Sequence, residues 1–222
     1  MTKEKQKNIE SVVSWVLAML LCPLGICLCA RSGFGVSMIE APVYVLHLKL
    51  SEFWPWFTYG TSEYALQAVV LALMCVIIGR FRPRYLLCFA TAFVFGWILD
   101  GWRLIIGTEV CASLCLRIVF AVIGCVGVAF AVALFFRTRL PLEVWELFVK
   151  EVADRFRFDI HRVKWVYDFS SLALGAILMF LFFGGIRPEA IGIGTVVTTF
   201  VNAPLIALSS GIQDKISGRI FK

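Results

Sequence analysis

GRFRPRYL, residues 79–86, sets Arg80, Arg82 and Arg84 around one proline between two long apolar runs. A sparser echo, GGIRPEAI, occupies residues 184–191. What the arginine cluster means depends on the solvent around it. Of 222 residues, 60% are hydrophobic and only 16% are charged. Uncharged stretches of roughly 16 to 24 residues recur, near the ~20 that carry a helix across a bilayer, whereas a soluble domain of this length must cover its core with polar side chains. The composition therefore points to a polytopic, all-α membrane protein with the lipid bilayer as its main surroundings.

Spans are expected at about 11–30, 62–80, 84–106, 117–136, 165–186 and 189–211. The first follows Lys3, Lys5 and Lys7 as a signal peptide would, but it is as long as a full span and CARSGFG is a poor cleavage site, so it reads as a retained helix. The net charge of +6 raises the question of nucleic acid. Distribution answers it. With the N-terminus inside, only Arg31, Lys49, Arg103, Arg117 and Arg187 fall in outer segments, and all other lysines and arginines fall in cytoplasmic ones. Cationic loops resist translocation, so this bias is a topology signal, with both termini cytoplasmic and no nucleic-acid partner.

Superposing Arg82-Pro83 on Arg187-Pro188 brings Glu63 onto Asp168, Ala68 onto Ala173, Gly79 onto Gly184 and Phe95 onto Phe200. With a register change upstream, Ala41-Pro42-Val43 meets Leu140-Pro141-Leu142. The chain thus divides into two three-span units, 1–110 and 111–222, and an odd number of spans per unit makes the second enter the membrane from the opposite side. The expected fold is six transmembrane helices as a 3+3 inverted repeat, with a cytoplasmic amphipathic helix at about 141–157 between the halves. In that helix Trp145, Phe148, Val149, Val152 and Phe156 recur at helical spacing, and its aromatic face is expected in lipid or against the bundle. Its counterpart, residues 31–50, is apolar and glycine-bearing and suits a broken or re-entrant piece, which is stable only when buried in protein.

Several stretches, GICLCARSGFGVSMIEAPVYVLHLKL, YGTSEYALQ and FVFGWILDGW in the first half and GIRPEAIGIGTVVTTFVNAPLIAL in the second, make the chain resemble the YczE/YyaS/YitT-like bacterial integral membrane proteins over roughly residues 15–210. The resemblance implies a bacterial inner membrane location and a loosely defined role as transporter or membrane accessory protein. It transfers no catalytic residue. The chain departs from the pattern where an Asp commonly follows the first connecting proline, since Pro42 is followed by Val43 and Tyr44.

Ionisable groups inside a membrane are costly and need a reason. Glu63 and Asp168, related by the repeat and followed by Gln67 and by Ser170 and Ser171, read either as two ends of one cation- or proton-binding cavity or as carboxylates placed favourably at helix N-termini. Asp100 and Arg103, at i and i+3, are expected to pair, with a pathway role for Asp100 as the alternative. Thr195, Thr198, Thr199 and Asn202 form a polar stripe that serves packing or, at Asn202, substrate contact. Ala121, Cys125, Ala129 and Ala133 form a close-packing face between helices or between protomers of a homo-oligomer. His47 and His161 are expected at the surface.

No hydrolase, zinc, Walker or dinucleotide fingerprint occurs, and the eight cysteines show no Cys-x2-Cys pair, so no enzyme activity, cofactor or metal is expected. Two functions remain. One is a secondary transporter of an unknown small solute or ion, with Glu63, Gln67, Asp168, Asn202 and Asp100 at the interface of the repeats. The other is a non-transporting accessory or scaffold protein that docks a partner through the amphipathic helix.

Overall fold

A computed structural model describes the chain from Lys3 to Ile220, with the side chains of Lys3, His161 and residues 216–220 outside the description. The surface position expected for His161 thus lies outside the described residues. The elements are α1 (Lys3–Ser32), α2 (Glu40–Leu50), α3 (Tyr59–Ile78), α4 (Arg84–Ile106), α5 (Leu114–Arg137), α6 (Val144–Phe156), α7 (Ile160–Phe183) and α8 (Ile193–Ile220). All regular structure among the described residues is helical. Six helices, α1, α3, α4, α5, α7 and α8, are long and apolar enough to cross a membrane, which makes this a multi-pass membrane protein. The two short helices, α2 and α6, are not.

Both quoted stretches open on the same device. Gly79 and Gly184 end α3 and α7 in the left-handed conformation, at φ 72° and 63°, and their amides donate back to Cys75 O and Phe180 O at 2.9 Å. Glycine suits this position because a Cβ strains it. The two then diverge. Arg82-Pro83 runs straight into α4, whereas Arg187-Pro188 leads into a further turn in which Ala190 O accepts from the Val36 amide at 3.2 Å. The Gly194 amide donates to Phe34 O at 2.7 Å, which docks the start of α8 on the segment after α1.

The helices meet where side chains are smallest. A Cβ built on Gly25 of α1 would lie 2.8 Å from Gly124 O of α5, and one on Gly60 of α3 would lie 2.0 Å from Gly96 O of α4. These backbones touch directly. The small-residue face of α5 accordingly packs inside the bundle, with Ala129 and Ala133 fully buried. Helix α2 is buried against α3 and α7, with Ala41, Val43 and Val45 fully covered and Gly175 of α7 in close contact with Ala41 and Pro42. Helix α6 packs against α3, α4 and α7.

The arginine cluster holds α6 in place. Arg80 and Arg82 approach Glu151 of α6 at 3.9 and 3.4 Å, Arg84 pairs with it more closely, and Tyr85 donates its hydroxyl at 2.8 Å. Glu151 is buried although the helical periodicity places it among the polar positions of α6. Burial raises its proton affinity, but the Tyr85 and Arg84 hydrogen bonds and the Arg82 charge outweigh this and leave its carboxyl below the ordinary range. The echo has no such target: Arg187 pairs with nearby Glu189 at 3.8 Å and lies over the Phe183 ring.

His47 departs from expectation. It is buried, with Nδ1 at 3.2 Å from Phe57 O and its ring stacked near Tyr59, because α2 is folded inward rather than laid on the surface.

Candidate functional site

The site begins with the start of α3. Thr58 caps it by accepting from the Thr61 amide at 3.1 Å, and Asp100 reaches across from α4 to accept from the Gly60 amide at 2.9 Å and the Thr58 hydroxyl at 2.5 Å. Asp100 is therefore occupied by the exposed donors of a helix N-terminus. Its expected pairing with Arg103 is not formed. Arg103 instead lies over the Tyr59 ring, 5.3 Å from its centroid.

One turn further, Glu63 and Gln67 share a face of α3, as residues four apart must. The Gln67 amide donates to Glu63 Oε1 at 2.8 Å and to Glu143 Oε2 at 3.1 Å, while its carbonyl oxygen accepts from the Val144 amide at 2.9 Å. That orientation is dictated by its surroundings, since the flipped amide would set an oxygen against two carboxyls. The Trp145 indole N–H donates to the same Glu63 Oε1 at 2.8 Å. On the α2 side, the Tyr59 hydroxyl donates to Glu40 Oε2 at 2.9 Å.

Glu63 and Gln67 are 0% exposed, and Glu40 and Glu143 are 6% and 7% exposed. None of these carboxyls has an ion-pair partner among the described residues. Glu63 Oε2 is buried with no hydrogen-bond partner. Burial first, then the charge of Glu63, pushes Glu40 well above the ordinary carboxyl range, against the Tyr59 hydrogen bond. Burial, then Glu146, Glu63 and Glu40, does the same to Glu143. Three carboxyls in a low-dielectric interior cannot all ionise without an incoming positive charge. The arrangement is thus equipped to take up protons or a cation.

Behind Trp145 lies a cleft of about 750 Å³ between α3 and α7, walled mainly by apolar side chains including Leu66, Val70, Phe148 and Tyr167. Trp145 separates the cleft from Glu63.

The other expected residues stand apart. Asp168 pairs with Lys164 of its own helix at 2.9 Å, and no contact joins it to Glu63 among the described residues. Asn202 lies on α8, which packs on α5 and not on α3 or α6. In its polar stripe, Thr198 and Thr199 donate to Thr195 O at 3.0 and 2.8 Å, satisfying their hydroxyls within the helix. Sequence reasoning missed Glu40, Glu143, Trp145 and Tyr59 as site members. Glu40 carried a signal, a lone acid in an otherwise apolar segment, but Glu143 was one acid among several before and along α6.

A model of a family of unknown function, DUF6198, matches residues 9–211. An uncharacterized protein of Bacillus subtilis strain 168, YyaS, is 28% identical over 203 residues, which cover 90% of this chain and 92% of that relative. No solved structure matches the chain.

Proposed function

We propose that this chain, which belongs to the DUF6198 family of unknown function, is a secondary transporter in which uptake of a proton or small cation by buried carboxyls is coupled to movement of a small solute. The observation that carries this reading is the burial of Glu40, Glu63 and Glu143 together without a cationic partner among the described residues. Such a cluster is costly in a membrane protein and is the usual mark of an ion or proton pathway. Glu63 is the central group, because Gln67 and Trp145 hold one of its oxygens and leave the other vacant.

The reading includes the 3+3 inverted repeat, with the bacterial inner membrane as location, both termini and α6 cytoplasmic, and no enzyme activity. Its support is the exchange of partners between the short helices. Helix α2 packs on α3 and across on α7, and α6 packs on α7 and across on α3, as two halves related by a pseudo-twofold would. The halves are unequal elsewhere, since α3 packs on α4 but α7 does not pack on α8 among the described residues. An accessory role through the aromatic face of α6 has less support. Trp145 is buried on Glu63 and Phe148 packs on Tyr167 with rings 5.0 Å apart, so the first two turns of that face are engaged within the chain, while Phe156 at its end is exposed.

The test is proton movement in proteoliposomes loaded with a pH-sensitive dye, screened against panels of amines, amino acids and alkali cations. Wild type should move protons with at least one solute, and Glu63→Gln should abolish this while remaining folded. Equal proton movement by the variant would sink the assignment.

A further inference from the structure

The α3–α7 cleft has chemistry that the carboxyl site does not use. Its walls are apolar along α3 and α7, and the Ser170 hydroxyl in its lining donates to Val166 O at 2.7 Å, within its own helix. Its charged lining residues, Arg157, Asp159 and Arg162, cluster where α6 turns into α7. Arg162 lies in the first turn of α7, so this mouth sits at one end of a helix long and apolar enough to cross a membrane. Asp159 is engaged in capping α7, accepting from the Arg162 amide at 3.0 Å. Neither guanidinium has an ion-pair partner among the described residues.

Arg157 gives a second, independent reason to look here. It ends α6 at φ 56° and is the one non-glycine residue at positive φ among those described. The corresponding ends of α3 and α7 use glycine. An L-residue in this conformation is strained by its Cβ, and strain of this kind concentrates where a side chain has a task. The arginine is held at a backbone position better suited to glycine, and its side chain lines the mouth of an apolar cleft.

Length identifies the occupant. The lining runs along α7 from Arg162 to Leu174. At 1.5 Å per residue that is about 18 Å, close to the ~15 Å depth of one leaflet. A cationic mouth at the interface and an apolar trough one leaflet deep match an anionic phospholipid. We propose that the cleft binds one acyl chain of such a lipid, with its phosphate held by Arg157 and Arg162. This site stands whether or not the chain carries a solute.

The full chain, purified in detergent and stripped of lipid, is titrated with phosphatidylglycerol and phosphatidylcholine of identical acyl chains, and bound lipid is counted by native mass spectrometry. Wild type should prefer phosphatidylglycerol by roughly 5- to 25-fold, about fivefold for each arginine near the surface less the opposing charge of Asp159. Arg157→Gly/Arg162→Gln should bind both lipids alike. Arg157→Gly alone should lose about fivefold of the preference while lipid-free thermal stability holds or rises, because glycine relieves the backbone strain. Ser170→Trp, at an exposed position of the cleft wall, should weaken both lipids. Equal binding of the two lipids by wild type, or an unchanged preference in the double variant, overturns the headgroup assignment. Undiminished binding by Ser170→Trp overturns the acyl-chain trough.

Discussion

Trp145 donates its indole N–H to Glu63 across 2.8 Å, joining the short helix α6 to the membrane-crossing helix α3 at a buried carboxyl. The same tryptophan lines the α3–α7 cleft. It is therefore the wall between an acidic interior and an apolar trough, and motion of α6 would be felt directly at Glu63. Replacing Trp145 by Phe keeps an aromatic side chain but removes the donor and part of the buried ring volume, so stability should fall by at least about 1–2 kcal/mol in thermal unfolding. Unchanged melting would contradict a structural role for this contact.

Glu63→Gln conserves volume and retains an oxygen for Trp145 and Gln67. Its melting temperature should stay near wild type while solute-linked proton movement is lost. Asp168→Asn should retain that movement, since Asp168 pairs with Lys164 and reaches the cluster only through the intervening charge of Glu146. Proteoliposome assays of the two variants side by side decide the point, and loss in Asp168→Asn alone would move the site to α7.

Stability should depend on pH in a defined sense. Glu40 and Glu143 are raised on folding above the ordinary 4.5, so each contributes fully below about pH 4.5 and loses its contribution as pH rises through the folded value. His47 runs the other way. Burial and the Arg103 charge lower it from 6.5 to about 4, so its contribution is present above about pH 6.5 and is lost as pH falls through about 4. Melting temperature should therefore rise on acidification from roughly pH 8 toward about pH 6.5 and go on rising more slowly below it, because His47 opposes only one of the two carboxyls. Glu40→Gln/Glu143→Gln should remove the rise; a melting temperature that falls over that interval would contradict the scheme.

Glu151→Gln strips a buried anchor from three arginines and Tyr85. Because the arginines reach solvent and can rehydrate, the cost should be about 1–3 kcal/mol rather than that of a fully buried broken pair. Arg84→Ala should cost less, since Arg80 and Arg82 remain. Thermal unfolding of the two variants gives the order, and a larger loss for Arg84→Ala would contradict it.

Three glycine substitutions should separate packing from backbone strain. Gly60→Ala would force a Cβ to 2.0 Å from Gly96 O and should prevent folding. Gly79→Ala meets no neighbour but sits at φ 72°, and should cost about 1 kcal/mol. Gly101→Ala, in a helix with open space around it, should be neutral or slightly stabilising. Yields of folded monomer and melting temperatures should follow that order.

Much of the frame was legible locally. Hydropathy depends on composition over ~20 residues, so the six spans could be read without knowing what packs against them. Gly79 and Gly184 announced helix ends because the left-handed cap favours glycine whatever the tertiary context. Glu63 and Gln67 were readable as neighbours because helical geometry alone puts residues four apart on one face. Asp100 and Arg103 had the spacing to pair, but the unsatisfied amide of Gly60 and hydroxyl of Thr58 from another helix claimed the carboxylate.

By itself, the sequence determined a membrane-spanning helical chain, the glycine-marked ends of α3 and α7 and the Glu63–Gln67 face of α3, since these follow from local periodicity and from solvent preference. The tertiary structure alone decided that Glu40, Glu143 and Trp145 converge on that face, that GRFRPRYL grips Glu151, and that Asp168 and Asn202 stand apart. Those outcomes turn on which distant donor meets which acceptor when helices pack, and neither hydropathy nor helical spacing encodes that choice.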